Sequence, residues 1–179
     1  MVRAKKGGPG GEAGGPGAPH EDGLLAQILE AWAVNNRINL ILLDHIDPDG
    51  LATTLSTRGG RDVSRQLAHM HTVRLAWLDS SGGRDLSEGL PRFESKEHPS
   101  GDALKEAFEA SGTAISTFLR DHAEGRRSSK GLRRGVGVLF AYLVAHEAHH
   151  RGSILLTLKQ CGHKLDERLR WGIWDWQRL

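Results

Sequence analysis

A long apolar segment that carries three histidines constrains the fold of this chain more than any other feature. Residues 136–158 are mostly apolar, and His146, His149 and His150 fall within five positions of the sequence. In a helix, His146 and His150 lie one turn apart on the same face. A buried polar nitrogen without a partner costs about 1–3 kcal/mol, so both imidazoles need a polar partner. A divalent metal ion would be one, since neutral imidazole is the commonest metal ligand.

These residues also match the His-Glu-x-x-His pattern of zinc peptidases, in which the histidines bind zinc and the glutamate acts as general base. The extended pattern needs a glycine and a third histidine further along the chain, and those positions hold Ser153 and Leu156. We therefore treat a zinc peptidase as the less favoured alternative. Another alternative is that the histidines are core residues bonded to their neighbours.

Composition limits the class of protein. The chain has 179 residues, of which 38% are hydrophobic and 26% are charged, and this suits one soluble domain. Its single cysteine, Cys161, excludes an internal disulfide. A net charge of +2 does not indicate nucleic-acid binding, and no apolar segment is long enough to span a membrane. The basic N-terminus is not followed by an apolar segment, so we expect no secretion signal and a cytoplasmic location.

The spacing of apolar residues predicts an all-α four-helix bundle. Apolar residues recur every three or four positions in four long segments, and no segment shows sustained alternation typical of strands. Residues 1–22 are rich in Gly, Pro and Ala without such periodicity. We expect them to form a disordered tail, with residues 23–179 as the bundle domain.

Capping and turn residues predict where the helices begin and end. A turn at residues 47–50 ends the first helix, and Asp62 caps the second. Either Ser100 or Asp102 caps the third helix. The fourth covers about residues 136–160, and Gly162 is a suitable C-terminal stop.

A second pair of histidines lies on the second predicted helix. Bundles build metal sites from side chains on facing helices, so His69 or His71 is a candidate partner for His146 and His150. The two residues are about 200° apart around the helix, so they cannot both face one ion. Each is displaced by a similar angle from the centre of the apolar face, and periodicity alone does not choose between them.

Three segments together resemble the DinB/YfiT-like family of bacterial metal-binding four-helix bundles. Residues 66–70, followed by Trp77, look like the second helix of that family, and residues 146–154 look like its His-x-x-x-His-Arg-Gly segment on the last helix. Residues 32–43, with three asparagines, look like its first helix. The resemblance spans residues 24–162, in the order and spacing of the family.

The resemblance implies a metal site and a class of activity. It implies His69, His146 and His150 as metal ligands, so the alignment favours His69 over His71. Family members bind zinc or nickel, and some relatives are S-transferases or isomerases that use a low-molecular-weight thiol as cosubstrate. The leading hypothesis is therefore a thiol-dependent S-transferase acting on small electrophiles. The alternative is a non-enzymatic metal-binding bundle of a stress response, for which a homodimer is an expected assembly.

Three neutral imidazoles would leave a divalent ion with a free position, which is typical of catalytic rather than structural sites. An ion in such a site lowers the pKa of a bound water or binds a thiol as thiolate. Glu147 lies about 100° away from the two histidines around the helix, so we expect it to support the site by orienting an imidazole.

Two further groups of residues have open interpretations. Trp171, Trp174 and Trp176 are expected to fasten the C-terminal segment to the bundle, or otherwise to cover the metal pocket or a dimer surface. A basic group is expected to be a solvated loop, with a docking patch for an acidic cosubstrate as the alternative. Its members are Arg126, Arg127, Lys130, Arg133 and Arg134.

Overall fold

The computed structural model describes residues 23–128 and 132–179, and within them it contains helices and no strand. Four helices are long: α1 (Leu24–Asp44), α3 (Val63–Ser80), α5 (Gly101–Ala123) and α6 (Val136–Gln160). Three are short: α2 (Pro48–Leu51), α4 (Arg84–Ser87) and α7 (Glu167–Gly172). The predicted all-α four-helix bundle is confirmed, whereas the predicted disordered tail lies outside the described residues. None of the described helices has the length and apolar character needed to cross a membrane.

The helix ends follow the predicted capping residues. The side chains of Asp62 and Ser100 cap α3 and α5 by accepting backbone N–H groups of the first turn. Gly162 has a φ of +88°, which suits glycine, and it lets the backbone N–H of His163 donate to the carbonyl of Leu158 at 2.8 Å. These local signals fix the limits of the helices that carry the histidines.

The long helices pack so that each has two main neighbours. Helix α1 lies against α5 and α6, and α3 lies against the same two helices. The end of α1 and the start of α3 and α5 share one apolar cluster with the end of α6, so α1 and α6 run antiparallel to α3 and α5. This first apolar cluster includes Leu42, Leu67, Phe108, Ile154 and Leu158.

The opposite end of the bundle holds a second apolar cluster, which includes Trp32, Leu78, Phe118, Leu139 and Leu143. Between the two clusters, each long helix contributes buried polar residues to one layer. These residues are Asn35 and Asn39 of α1, Arg74 of α3, Ser111 of α5 and Glu147 of α6. The apolar core is therefore divided half-way along the bundle by a polar layer.

The C-terminal segment is fastened to the bundle by aliphatic side chains. Leu165 and Ile173 are buried in the first apolar cluster. Trp171, Trp174 and Trp176 are instead 65%, 71% and 41% exposed. The expectation that the tryptophans fasten this segment is wrong, because the smaller Leu165 and Ile173 fill the available space in the core.

Part of the basic group after α5 is neutralised locally. Arg126 forms an ion pair with Asp121, and Arg127 pairs with both Asp121 and Asp85. Lys130 lies outside the described residues. Arg127 thus holds the end of α5 to α4, and Arg126 is neutralised at the end of α5, which favours a structural interpretation for these two members of the group.

Candidate metal centre

Three histidines from two helices converge at one side of the polar layer. His69 of α3 meets His146 and His150 of α6, and one ring nitrogen of each lies within 4.8 Å of those of the other two. The ring centroids are 4.6–5.3 Å apart. Zinc bound by three nitrogens at about 2.0–2.1 Å needs nitrogen–nitrogen distances of about 3.3 Å. A small inward movement of the rings is enough to reach that spacing.

This histidine cluster, comprising His69, His146 and His150, has unused nitrogens. The Nδ1 atoms of His146 and His150 are buried and have no hydrogen-bond partner among the described residues. A buried nitrogen without a hydrogen-bond partner lowers the stability of the fold, and a metal ion can bind an uncharged imidazole nitrogen. The donor set therefore fits a divalent metal.

The surroundings keep all three rings uncharged. Burial, helped by the neighbouring imidazoles His146 and His69, lowers the pKa of His150 to about 4. Burial is also the main cause of the lowered pKa of His69 and of His146. A neutral imidazole is the form that coordinates a metal, so the site is prepared for coordination at neutral pH.

His71 points into the core and away from this cluster. Its Nδ1 lies 3.1 Å from the Ser111 hydroxyl, and its Nε2 lies 2.8 Å from the carbonyl oxygen of Pro91. Both ring nitrogens are thus occupied by hydrogen bonds within the protein, and the residue is fully buried. The structure brings His69, not His71, to the histidines of α6, and this choice was the one that helix periodicity left open.

Glu147 faces the centre of the bundle and belongs to a buried ion-pair network. Its Oε1 accepts from Arg74 Nε at 2.6 Å, and its Oε2 accepts from Arg74 Nη2 at 3.0 Å. The same Oε2 accepts from the side-chain amides of Asn35 and Asn39, each at 2.7 Å. The expectation that Glu147 orients an imidazole is wrong, because both carboxylate oxygens are engaged by these donors.

These contacts also argue against the peptidase alternative. A general base must reach a water or a substrate proton directly or through one water. The Glu147 side chain is 0% exposed and paired with Arg74. Burial alone would raise the pKa of Glu147, but the charge and hydrogen bonds of Arg74, together with the hydrogen bonds of Asn39 and Asn35, outweigh burial and lower the pKa. The carboxylate therefore serves as a fixed negative charge in the core.

The guanidinium of Arg74 joins all four long helices. It lies over the rings of Trp32 and Phe108, with centroid distances of 4.8 and 4.6 Å. Its Nη1 donates to Asn36 Oδ1 at 2.7 Å and to the Ser111 hydroxyl at 3.2 Å. Because Glu147 and Arg74 fix α6 against α3, they also fix the distance between His146 and His69.

The sequence contains a signal for this network that simple motif reading misses. Glu147 follows Leu143 by four residues and precedes Ile154 by seven, so it lies on the apolar stripe of its helix. Arg74 follows Met70 by four residues and precedes Leu78 by four, so it lies on the apolar stripe of α3. An acid and a base on the apolar stripes of two helices predict a buried pair, since an isolated buried charge is very costly.

Two depressions adjoin the histidine cluster. A cavity of about 180 Å³ is lined by His69, Arg61 and Arg65, among other residues. A groove of about 300 Å³ is lined by His150, His149 and Arg61. Water-sized molecules therefore have access to the cluster through two depressions that share Arg61.

An aromatic row continues from the cluster along α6. Tyr142 stacks on His146 with ring centroids 5.8 Å apart and planes inclined by 12°, and Trp77 packs edge-on against Tyr142. Trp77 and Tyr142 also line a mainly apolar pocket of about 280 Å³, together with Val138. An apolar surface thus lies next to the histidine cluster.

A family comparison agrees with this geometry. The model of the DinB family matches residues 20–167, which include all four long helices and the three clustered histidines. The chain belongs to the DinB family. Neither the curated proteins nor the solved structures contain a match to it. The helical fold of this DinB protein and its histidine cluster are compatible with binding of a divalent metal.

Proposed function

We propose that this DinB protein binds one divalent metal ion, zinc or nickel, through His69, His146 and His150. The observation that carries the proposal is the convergence of three imidazoles from two helices, with buried Nδ1 atoms on His146 and His150 that no described group satisfies. Their lowered pKa values favour the neutral form that a metal requires.

The proposed site is open. Among the described residues, no cysteine or carboxylate joins the three histidines in the cluster. A divalent ion held by three neutral ligands keeps at least one position for a water or a substrate atom. When bound, the ion would act as a Lewis acid and lower the pKa of a thiol or water at that position.

We further propose that the reaction is transfer of a thiol to a small electrophile. The thiol loses its proton to solvent, its sulfur forms a bond to the electrophilic carbon, and the leaving group departs with the electron pair of its bond. The two depressions beside His69 and His150 and the apolar pocket beside Tyr142 provide separate places for two small molecules. In this scheme the groove holds the thiol cosubstrate, and Trp77 and Tyr142 hold the apolar part of the electrophile.

A non-enzymatic metal-binding function is the second candidate. The carboxylate nearest to the cluster in sequence, Glu147, is occupied by Arg74 and is fully buried. It cannot move protons at the site, so the described residues supply no carboxylate base from α6. A protein of this second kind would bind metal tightly without turning over any thiol.

The metal content of purified protein tests the first proposal. We expect about one zinc or nickel ion per chain by elemental analysis, and loss of most of it in His69→Ala, His146→Ala and His150→Ala. His149→Ala is the matched control, because His149 is an exposed histidine on the same helix outside the cluster. Equal metal content in all variants, even after reconstitution, would remove the proposed site.

Turnover tests the transferase proposal separately. Metal-loaded protein is assayed with a panel of bacterial thiols and a chromogenic electrophile. Conjugation above the rate of His150→Ala supports the transferase. A rate equal to that of His150→Ala with every thiol, in protein that retains its metal, favours the non-enzymatic alternative.

A further inference from the structure

One cation is shared by both entrances to the histidine cluster. Arg61 lines the cavity beside His69 and also the groove beside His150. It lies in the connection before α3, and it is exposed. Its guanidinium takes part in no ion pair among the described residues. A permanent charge that is not neutralised within the protein can contribute to binding a ligand of opposite sign.

The two entrances differ in their balance of charge. The cavity beside His69 contains Arg61 and Arg65, but Glu94 and Glu97 also line it. Among the described residues, the groove beside His150 is lined by Arg61 and by no acidic residue. Its other polar lining consists of hydroxyl, amide and imidazole side chains, namely Thr54, Ser56, Gln66, His149, Ser153 and Thr157. The groove therefore favours an anion, and the cavity does not.

The loop before α3 holds Arg61 in a defined place. The Thr54 hydroxyl donates to the carbonyl of Arg61 at 3.3 Å. The Ser56 hydroxyl accepts the backbone N–H of Gly60 at 2.8 Å, and a Cβ on Gly60 would lie only 2.6 Å from Ser56. The glycine thus allows a close turn immediately before Arg61. A guanidinium presented from an ordered loop loses less conformational entropy on binding.

The charge of the proposed metal site adds to this preference. Three neutral imidazoles leave the two positive charges of a divalent ion uncompensated, and the charge of Glu147 is balanced by Arg74. Resting on the proposed function, we infer that the small molecule entering the groove beside His150 carries a carboxylate, which Arg61 binds. A guanidinium suits this role because its fork of donors matches a carboxylate in two parallel hydrogen bonds.

Binding of simple acids to metal-loaded protein tests this inference. The probes are mercaptopropionate, mercaptoethanol and propionate, and the readout is the dissociation constant from calorimetry. We expect the wild type to bind mercaptopropionate roughly tenfold more tightly than mercaptoethanol, the low end for a charge-assisted hydrogen bond at an exposed site. Arg61→Gln is expected to remove this preference. Arg58→Gln is the matched control, since Arg58 is an exposed arginine of the same loop that lines neither entrance.

The outcomes separate this inference from the proposed function. Zinc and nickel are measured in each reconstituted preparation first, and the absence of both from the wild type overturns the proposed function itself. With metal present, equal affinities for mercaptopropionate and mercaptoethanol, no binding of either acid, or a preference that survives Arg61→Gln overturns the role of Arg61. Propionate that binds as tightly as mercaptopropionate, with the same dependence on Arg61, assigns recognition to the carboxylate alone. If propionate binds much more weakly than mercaptopropionate, the thiol contributes to the affinity, and the carboxylate then belongs to the thiol cosubstrate.

Discussion

His146 and Glu147 are neighbours in the chain, yet their side chains enter two polar clusters with opposite properties. Glu147 is fully buried, and Arg74, Asn35 and Asn39 donate to its two oxygens. His146 is partly exposed, and its buried Nδ1 atom has no partner among the described residues. The helix separates them by about 100°, so one faces the core and the other faces the edge of the bundle.

The difference teaches how to distinguish a structural polar cluster from a binding one. A buried charge that has all of its partners inside the protein fixes the arrangement of helices, and it has little capacity left for a ligand. Converging nitrogens without partners cost stability until a ligand arrives. The buried ion-pair network therefore supports the histidine cluster, and the histidine cluster is the candidate site for a ligand.

The largest expected effect comes from removing one charge of the network. Glu147→Ala leaves the Arg74 guanidinium buried without its acid, and we expect the free energy of unfolding to fall by about 3–5 kcal/mol. Denaturant unfolding of metal-free protein measures this change. The double variant Glu147→Leu with Arg74→Met should recover part of the loss, since it removes the buried Arg74 charge and leaves only Arg151, 3.8 Å from Glu147 Oε2 in the wild type, without its acid. A double variant as unstable as the single one would contradict this account.

Metal binding at the histidine cluster should raise the stability of the folded protein. A metal at a hundredfold excess over its dissociation constant stabilises the folded state by about 2.7 kcal/mol. We expect this gain in the wild type and its absence in His146→Ala, measured as the difference between metal-loaded and metal-free unfolding curves. The His71→Gln variant should keep the gain, because His71 lies outside the cluster. Stabilisation of His146→Ala equal to that of the wild type would place the metal elsewhere.

Substitution of the two asparagines of α1 should lower the free energy of unfolding by different amounts, and this difference is smaller than the effects above. Asn39→Ala removes a donor to Glu147 and also an acceptor for Arg151 Nη1, whereas Asn35→Ala removes only a donor, since Asn35 Oδ1 is unpartnered in the described protein. Each lost hydrogen bond to a charged group costs about 1.5–3 kcal/mol. Unfolding of the two variants side by side should show the greater loss for Asn39→Ala. The reverse order would show that Arg151 finds another partner.

The two clusters should also respond to acid in different pH ranges. The pKa of His150 is about 4 in the folded protein, compared with 6.5 for an ordinary histidine. Between these values the unfolded chain binds more protons than the folded one, so the stability of metal-free protein should fall as the pH decreases from about 6.5 towards about 4. The lowered pKa of Glu147 means that its contribution is lost only below the ordinary glutamate value of 4.5.

A pH series of unfolding curves separates the two contributions. We expect His150→Ala to reduce the slope of stability against pH in the upper range and to leave the lower range as in the wild type. The His149→Ala control should keep the lower range and most of the slope in the upper range, since His149 is only a minor cause of the lowered pKa of His150. A wild-type slope in the upper range after His150→Ala would show that other groups cause it.

Local patterns in the sequence were sufficient to predict the helices and part of the candidate site. Asp62 and Gly162 mark the ends of α3 and α6 as expected, because capping depends on neighbouring backbone groups only. The spacing of His146 and His150 places them on one helix face for the same local reason. The choice of His69 over His71 needed a family resemblance or a structure, since both residues flank the apolar face by similar angles.

The direction of each side chain across the bundle depended on contacts between helices. Glu147 matched a peptidase motif, but pairing with Arg74 directs it into the core. The exposed tryptophans near the C-terminus could not be placed from the sequence for the same reason, because Leu165 and Ile173 are buried in the core in their stead. The sequence by itself determined the helices, their ends and the candidate ligands, because these follow from residue types a few positions apart. Only the tertiary structure decided which polar residues are satisfied and which remain free for a ligand, because their partners are distant in sequence and meet only when the helices pack.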